Sequence, residues 1–405
     1  MSRPTAHSPE EAPGLHDPRG ALLGVYRPPE TLFVAGRGSE LFDAEGRAYL
    51  DFTSGIGVNA LGYDVPEVRA AVEEVLDSGL IHSSNLFRTR PAEELAELLV
   101  RSSFPGRVFF CNSGAEAGEA AFKFARRHAR ATGNGADKHE IVAFRGGFHG
   151  RLFGTLAATD RPSYQEPFQP LMPGVHFCDV GDIEGVRKVV SKARTAAVVI
   201  EPVQGEGGVV PVPHAFLRAL RELCTEHEVA LVFDEVQCGI GRTGELFAFQ
   251  EAGVVPDMVT LAKPLAGGLP MGAVLLSEAI AASVEPGDHA TTFGGGPLVA
   301  SVALAVVRRI ADESFLAGVR ERGQALESAL RQVAARRDGV EDVRGVGLMW
   351  GVAIATPAAD VASRARELGL LLVPAGPRVV RLLPPLNVTA DEIDHAVQTL
   401  EEALP

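Results

Sequence analysis

A chain of 405 residues with 46% hydrophobic and 22% charged content is long enough to bury two or three cores. Its net charge of −14, with no block of lysine or arginine, argues against nucleic acid and anionic membrane surfaces as partners and leaves small metabolites. Cys111, Cys178, Cys224 and Cys238 are widely spaced without a C-x-x-C pair, which points to reduced thiols in a cytoplasmic protein and gives no reason to expect a metal.

Residues 1–20 hold Pro4, Pro9, Pro13 and Pro18 among polar residues and carry no apolar signal core, so a mobile tail is expected there. The segment 21–60, with strand-like GSELFDAEGRAYLDF, is expected to pack on a C-terminal unit. From about Val108 to Met258, short apolar runs alternate with helical patterns, the signature of a mostly parallel sheet covered on both faces. The predicted strands are Val108–Cys111, Glu140–Phe144, Ala197–Ile200, Ala230–Phe233 and Met258–Leu261. Predicted helices between them include 115–130, opened by Ser113 as N-cap, and 214–227. After about Gly295 a long helical pattern through Leu316, Val319, Leu326, Leu330 and Val333 gives way to a strand over 347–354. A helix over 359–368, a strand over 379–383 and a final helix over 390–404 follow. These patterns imply a large α/β domain over 61–295 and a smaller α+β domain over 296–405.

Ligands of parallel sheets bind beyond the carboxyl ends of the strands. Three predicted strands end there in ionisable residues: Glu201, Asp234 and Lys263. Taken singly, a loop-capping aspartate and a solvent-paired lysine would explain two of them. Together they suit one chemistry, because pyridoxal phosphate takes a lysine as its Schiff-base partner and a carboxylate on its pyridine nitrogen. Asp234 would hold that nitrogen protonated. Lys263 would need to be neutral to move a proton, so its pKa should fall from about 10.4 towards 7 or 8 by burial. Ser113 and Gly114 open a helix whose N-H groups suit a phosphate. In FRGGFHGR, Phe148 could stack on the ring and Arg151 could clamp a carboxylate.

With these motifs the sequence resembles the class III pyridoxal-phosphate aminotransferases, especially the acetylornithine and ornithine aminotransferases. The matching runs are GIGVNALG, HSSNLF, NSGAEA, FRGGFHGR, EPVQGEGGV, VFDEVQCGIGRTG, AKPLAGGLPMGA, TTFGG and VVRLLPPL, in order from Tyr26 to Leu386. The resemblance implies a fold-type-I α/β architecture and a homodimer with shared sites. It implies that Lys263 carries the cofactor, Asp234 pairs with its ring nitrogen, and Ser113, Gly114 and Ala115 form the phosphate cup. Phe148, Glu201 and Gln237 complete the cofactor set on this side, and Thr292, with Ser84 and Asn85 near the interface, serves the neighbouring subunit's phosphate. Arg381 resembles the α-carboxylate binder for 2-oxoglutarate, Glu206 the acid that neutralises it when an ω-amine is bound, and Tyr26 and Arg151 join the substrate set.

The implied reaction is transfer of the ω-amino group of N-acetylornithine to 2-oxoglutarate. Ornithine, succinylornithine, 4-aminobutyrate and carrier-linked lysine are alternative donors. An aminomutase or a non-catalytic relative is a more distant alternative, disfavoured by Glu206 and by the joint retention of Lys263, Asp234 and Arg381. A nicotinamide dehydrogenase is poorer still, since no G-x-G-x-x-G opens an early helix. The sequence departs from the family pattern at Gly62, Tyr63, Asp64 and Val65, where histidines are usual, and at Gly118 and Gly296, where asparagine is usual. These departures bear on substrate and packing rather than on the reaction.

Overall fold

The computed structural model describes residues 21–133 and 137–405; the predicted tail, residues 1–20, lies outside the described residues. A seven-stranded sheet holds the centre. Its strands are β1 (Gly106–Cys111), β2 (Glu140–Phe144), β3 (Val175–Cys178), β4 (Thr195–Ile200), β5 (Ala230–Asp234), β6 (Met258–Leu261) and β7 (Gly272–Ser277). They lie in the order β1-β7-β6-β5-β4-β2-β3. Strands β6 through β3 pair in parallel, and β7 runs antiparallel between β6 and β1.

Every residue of β4, β5 and β6 is buried, as expected of parallel strands covered on both faces. All five predicted strands form, with ends shifted by at most two residues. Two more were not predicted. The edge strand β3 has only four residues, and its pattern of exposed and half-buried positions lacks the continuous apolar run. Strand β7 follows a Gly- and Pro-rich stretch that reads as loop, yet its backbone closes both neighbouring strands.

Helix α1 (Gly114–Ala131) leaves β1, and its first turn is capped by Ser113, whose Oγ accepts from the Glu116 N-H at 3.2 Å. Its buried face includes Ala117, Ala120, Ala121, Phe124 and Ala125, spaced by three and four. Gly118 on that face is a matter of packing, because a Cβ there would stand 2.7 Å from Thr155 Cγ2. The short helix that carries Thr155 (Phe153–Ala157) can therefore come close, and Glu119 Oε1 accepts its Gly154 and Thr155 N-H groups at 2.7 and 2.9 Å.

A second sheet joins Val340–Val346, Met349–Ile354, Val379–Leu382 and Val373–Pro374, with the long helix Glu313–Arg336 and the terminal helix Ala390–Ala403 packed nearby. The N-terminal strands Phe33–Arg37, Glu40–Asp43 and Ala48–Asp51 form a third sheet, closed by Leu370–Leu371, with Leu50 in register with Leu370. The early segment thus pairs directly with residues near the C-terminus. Tyr63, one of the departures, has a structural role: its hydroxyl donates to Asp51 Oδ2 at 2.6 Å, and its ring fills the space beside Gly36. Among the described residues no helix is long and apolar enough to cross a membrane. All four cysteines are buried free thiols.

Candidate active site

Because β4, β5 and β6 are parallel neighbours, their carboxyl ends open on one crevice. Phe233 is level with Ile200, and Asp234 with Thr260, so Glu201, Asp234 and Lys263 come together although they are far apart in the chain. They line one cavity of about 260 Å³. Gly114 and Ala115 of α1, Phe148, Arg151, Glu206 and Gln237 also line it.

Asp234 is almost wholly buried and ends β5. Its Oδ1 accepts from the Val236 N-H and the Thr260 hydroxyl, each at 3.1 Å, and its Oδ2 lies 2.6 Å from His149 Nδ1. An ionised carboxylate only accepts, so the proton of that last bond belongs to Nδ1. Three donors fill three of about four acceptor positions, leaving one for a ligand. The adjacent acid acts elsewhere: Glu235 Oε2 and Oε1 accept from the Ala248 and Phe249 N-H groups at 2.7 and 2.8 Å, at the start of a short helix. Burial pushes the Glu235 carboxyl up to about 8, against those two bonds.

His149 was not among the predicted residues. It lies inside FRGGFHGR beside Phe148, and a histidine in a glycine-rich turn at the end of a buried strand is the signal that could have found it. Burial alone would lower its pKa, but the hydrogen bond and charge of Asp234, with Glu201 adding to them, raise it above 6.5. A raised histidine stabilises the fold fully below its unfolded pKa near 6.5 and loses that contribution as pH climbs through the folded value. Thermal melts of His149→Gln, which keeps a donor but cannot titrate, should therefore lack the loss of stability that the parent shows as pH rises above 6.5. Parallel melting curves for the two proteins would contradict this.

Lys263 keeps some exposed surface where it faces the cavity. Burial nevertheless lowers its pKa, and Arg381 contributes in the same direction, while Asp234, Glu201 and Glu206 oppose. The direction is the one a neutral amine requires. Glu201 ties two loops together by accepting from the Phe148 and Gly205 N-H groups at 2.9 and 3.0 Å. Burial pushes its carboxyl up to about 7, opposed by His149 and reinforced by Asp234.

Arg381 stands on Val379–Leu382, level with Gly351 in the second sheet, and is 1% exposed. Its Nη1 donates to Glu206 Oε1 at 2.7 Å and to Gln237 Oε1 at 3.0 Å, while its buried Nε has no partner among the described residues. The Glu206 side chain is 31% exposed. The arginine is fixed and its acid partner is free to move. Arg161 holds the Glu206 carbonyl at 2.6 Å, which confines any movement to the side chain. Gln237, expected beside a ring oxygen, both lines the cavity and holds this arginine.

The remaining predicted residues lie nearer the surface, Arg151 on the cavity's outer wall. Arg151 is exposed, with its guanidinium carbon 3.4 Å from the Tyr164 ring centroid and 6.0 Å from that of Phe148. Thr292 is exposed on the wall of a separate cavity of about 760 Å³, shared with Ser84 and Asn85. Its loop is held where Asn112 Nδ2 donates to Thr291 Oγ1 at 3.0 Å and Asn85 Nδ2 to the Thr291 carbonyl at 2.7 Å. Tyr26 is 82% exposed and does not line the cavity.

The residues present fit pyridoxal phosphate. The Gly114 and Ala115 N-H groups at the start of the 18-residue α1 have no intrahelical acceptor, and Ser113 Oγ is occupied by Glu116, so both remain for an anion. Closeness is built in: a Cβ on Gly114 would stand 2.7 Å from Val236 Cγ1, and one on Gly150 2.7 Å from Ala115 Cβ. A buried acid with one free acceptor position and a lysine of lowered pKa complete the donor set.

Residues 25–404 match the family model described as aminotransferase class-III. The chain is 46% identical over 388 residues to a mitochondrial acetylornithine aminotransferase of Alnus glutinosa, covering 95% of this chain and 86% of that one. It is 43% identical over 384 residues to the acetylornithine aminotransferase of Clostridium acetobutylicum, covering 95% and 98%. Among solved structures it resembles the N-acetylornithine aminotransferase of Stenotrophomonas maltophilia K279a, with a TM-score of 0.82 and 38% identity, covering 93% and 96%. It also resembles an ornithine aminotransferase of Toxoplasma gondii in which pyridoxal phosphate partly occupies the active site, with a TM-score of 0.90 and 29% identity, covering 95% and 92%.

Proposed function

This chain belongs to the class III aminotransferases, and from that premise we propose that it moves the ω-amino group of N-acetylornithine to 2-oxoglutarate, giving a semialdehyde and glutamate. The family is pyridoxal-phosphate dependent. The observation that supports the reading is the convergence on one cavity of Lys263, Asp234 and Glu206, with Arg381 paired to Glu206 from behind the wall.

When bound, the cofactor supplies an electron sink beside the substrate carbon. The chain's own residues do the rest. Gly114 and Ala115 would hold the phosphate, and Phe148 would cover the ring face. Asp234, oriented by His149 and Thr260, would keep a proton on the ring nitrogen. Lys263 Nζ, whose pKa burial lowers, would take the proton that leaves the donor carbon and return one when the keto acid is aminated. Arg381 receives the α-carboxylate of 2-oxoglutarate, with its unpartnered Nε as one donor.

Glu206 is the gate. An N-acetylornithine donor presents no carboxylate to Arg381, so the pair stays closed; the keto acid displaces the half-buried acid. Breaking a buried ion pair by removing one partner costs about 3–5 kcal/mol, reduced here because solvent reaches Glu206. Glu206→Ala should therefore shift the preference towards α-amino donors by about tenfold in the ratio of kcat/KM values. An unchanged ratio rejects the gate.

We further infer a homodimer, in which Thr292 of one subunit completes the phosphate site of the other. Support comes from the exposed position of Thr292 and from apolar side chains exposed in the segments around it: Leu86, Phe87 and Phe293. The same reading places Tyr26 in the substrate pocket only through such an assembly, puts the enzyme in the cytoplasm, and divides the chain into 21–60, 61–295 and 296–405.

A screen of amine donors with 2-oxoglutarate, followed by glutamate release, tests the function. N-acetylornithine should outpace ornithine, succinylornithine and 4-aminobutyrate by at least about tenfold in kcat/KM. Faster turnover of ornithine would replace the donor. Turnover without added 2-oxoglutarate would point to an aminomutase.

A further inference from the structure

Arg242, like Arg381, is among the largest fully buried side chains, 1% exposed, and the cavity does not include it. Burial lowers its pKa to about 9, and among the described residues no acid counters the loss of solvent. Its Nη2 is buried without a partner among the described residues. An uncompensated buried charge is costly, and packing alone would be served as well by methionine.

What the guanidinium does reach is the second sheet. Nη1 donates to the Leu348 carbonyl at 3.1 Å and to the Pro384 carbonyl at 2.5 Å. The Arg242 carbonyl in turn accepts from the Leu348 N-H at 3.0 Å. Leu348 precedes the strand Met349–Ile354, and Pro384 follows Val379–Leu382, which carries Arg381. The loop that leaves Asp234 therefore grips the Arg381 strand twice, directly through Gln237 and at a distance through Arg242.

We propose that Arg242 is a positioning residue for the keto-acid half of the reaction, fixing the strand of Arg381 so that its guanidinium meets the incoming carboxylate. This rests on Arg381 being the carboxylate binder. An ω-amine donor does not use Arg381, so the donor half-reaction depends on this brace far less.

The test uses holoenzyme and glutarate, an inert dicarboxylate, titrated by calorimetry, beside the rate of the donor half-reaction followed by absorbance. Arg242→Met should weaken glutarate binding by about tenfold while the donor half-reaction changes by less than about threefold, because displacing a binding group by a fraction of an ångström is enough for such a loss. Arg242→Lys, which keeps the charge but places its donors on one nitrogen instead of a planar fork, should fall between and carries the test if the methionine variant does not fold. In an Arg381→Lys background, Arg242→Lys should cause no further loss of glutarate affinity. Equal losses in both half-reactions, or an additive loss in the double variant, would overturn the role of Arg242. If Arg381→Lys itself leaves glutarate binding intact, the carboxylate assignment fails first and the proposal with it.

Discussion

Replacing Lys263 with alanine is expected to lower kcat by at least about 10⁴-fold, since in the proposed function one side chain supplies both the covalent anchor and the proton carrier. The cavity explains the size of the effect. The acids that line it, Glu201, Glu206 and Asp234, are each hydrogen-bonded to backbone or side-chain donors, and none of them is an amine that could take the place of Lys263. Burial keeps Lys263 neutral at lower pH than a surface lysine, with Arg381 contributing and the three acids opposing. Three readouts distinguish this from simple loss of structure. Borohydride should fix the cofactor's mass on Lys263 in the parent and on no residue in the variant. The melting profile of the cofactor-free variant should match that of the cofactor-free parent. Small primary amines in the buffer should restore part of the rate. A variant retaining more than about a hundredth of the parent kcat would assign the proton transfer to another residue.

The second large effect is expected at Asp234. Asp234→Asn keeps the size of the side chain and an acceptor for Thr260 and Val236, but removes the charge that faces the cavity. The loss of one preorganised electrostatic partner lowers kcat by about 10²–10³-fold. The bond to His149 makes the substitution more than local, because an amide placed against the imidazole Nδ1 either breaks that 2.6 Å bond or forces the other tautomer. The raised pKa of His149, which depends on Asp234, should then fall, and NMR titration of its ring would show it. Asp234→Asn with parent kcat, or with an unchanged His149 titration, would separate the acid from the histidine and from the ring nitrogen alike.

Much of this site is legible without coordinates because its parts fall at places that local rules mark. Buried parallel strands read as continuous apolar runs, so β4, β5 and β6 can be drawn from Thr195–Ile200, Ala230–Asp234 and Met258–Leu261 with little error, and their last residues then fall at the ligand-binding edge. Ser113 announces a helix start by its type alone. The long helix Glu313–Arg336 shows in the spacing of its leucines and valines.

What escaped notice lacks such a mark. Strand β7 is recognisable only when two other strands need closing, and Glu235, next to Asp234 in the chain, turns away to serve the helix Ala248–Ala252. The hold of His149 on Asp234 joins residues 85 apart, and that of Arg242 on Pro384 joins residues 142 apart.

The sequence by itself determined five of the seven central strands, the main helices, the ionisable residues at the strand ends and the cofactor chemistry those residues suit. These follow from periodicity, capping and residue type, which act over a few positions. Only the tertiary structure decided which donors orient Asp234, that Arg381 is shut by Glu206 and held by Gln237, and that Arg242 braces one sheet against another. Such bonds form between groups that chain topology brings to within about 3 Å, and a buried polar group takes whichever partner the packing delivers, wherever in the chain that partner lies.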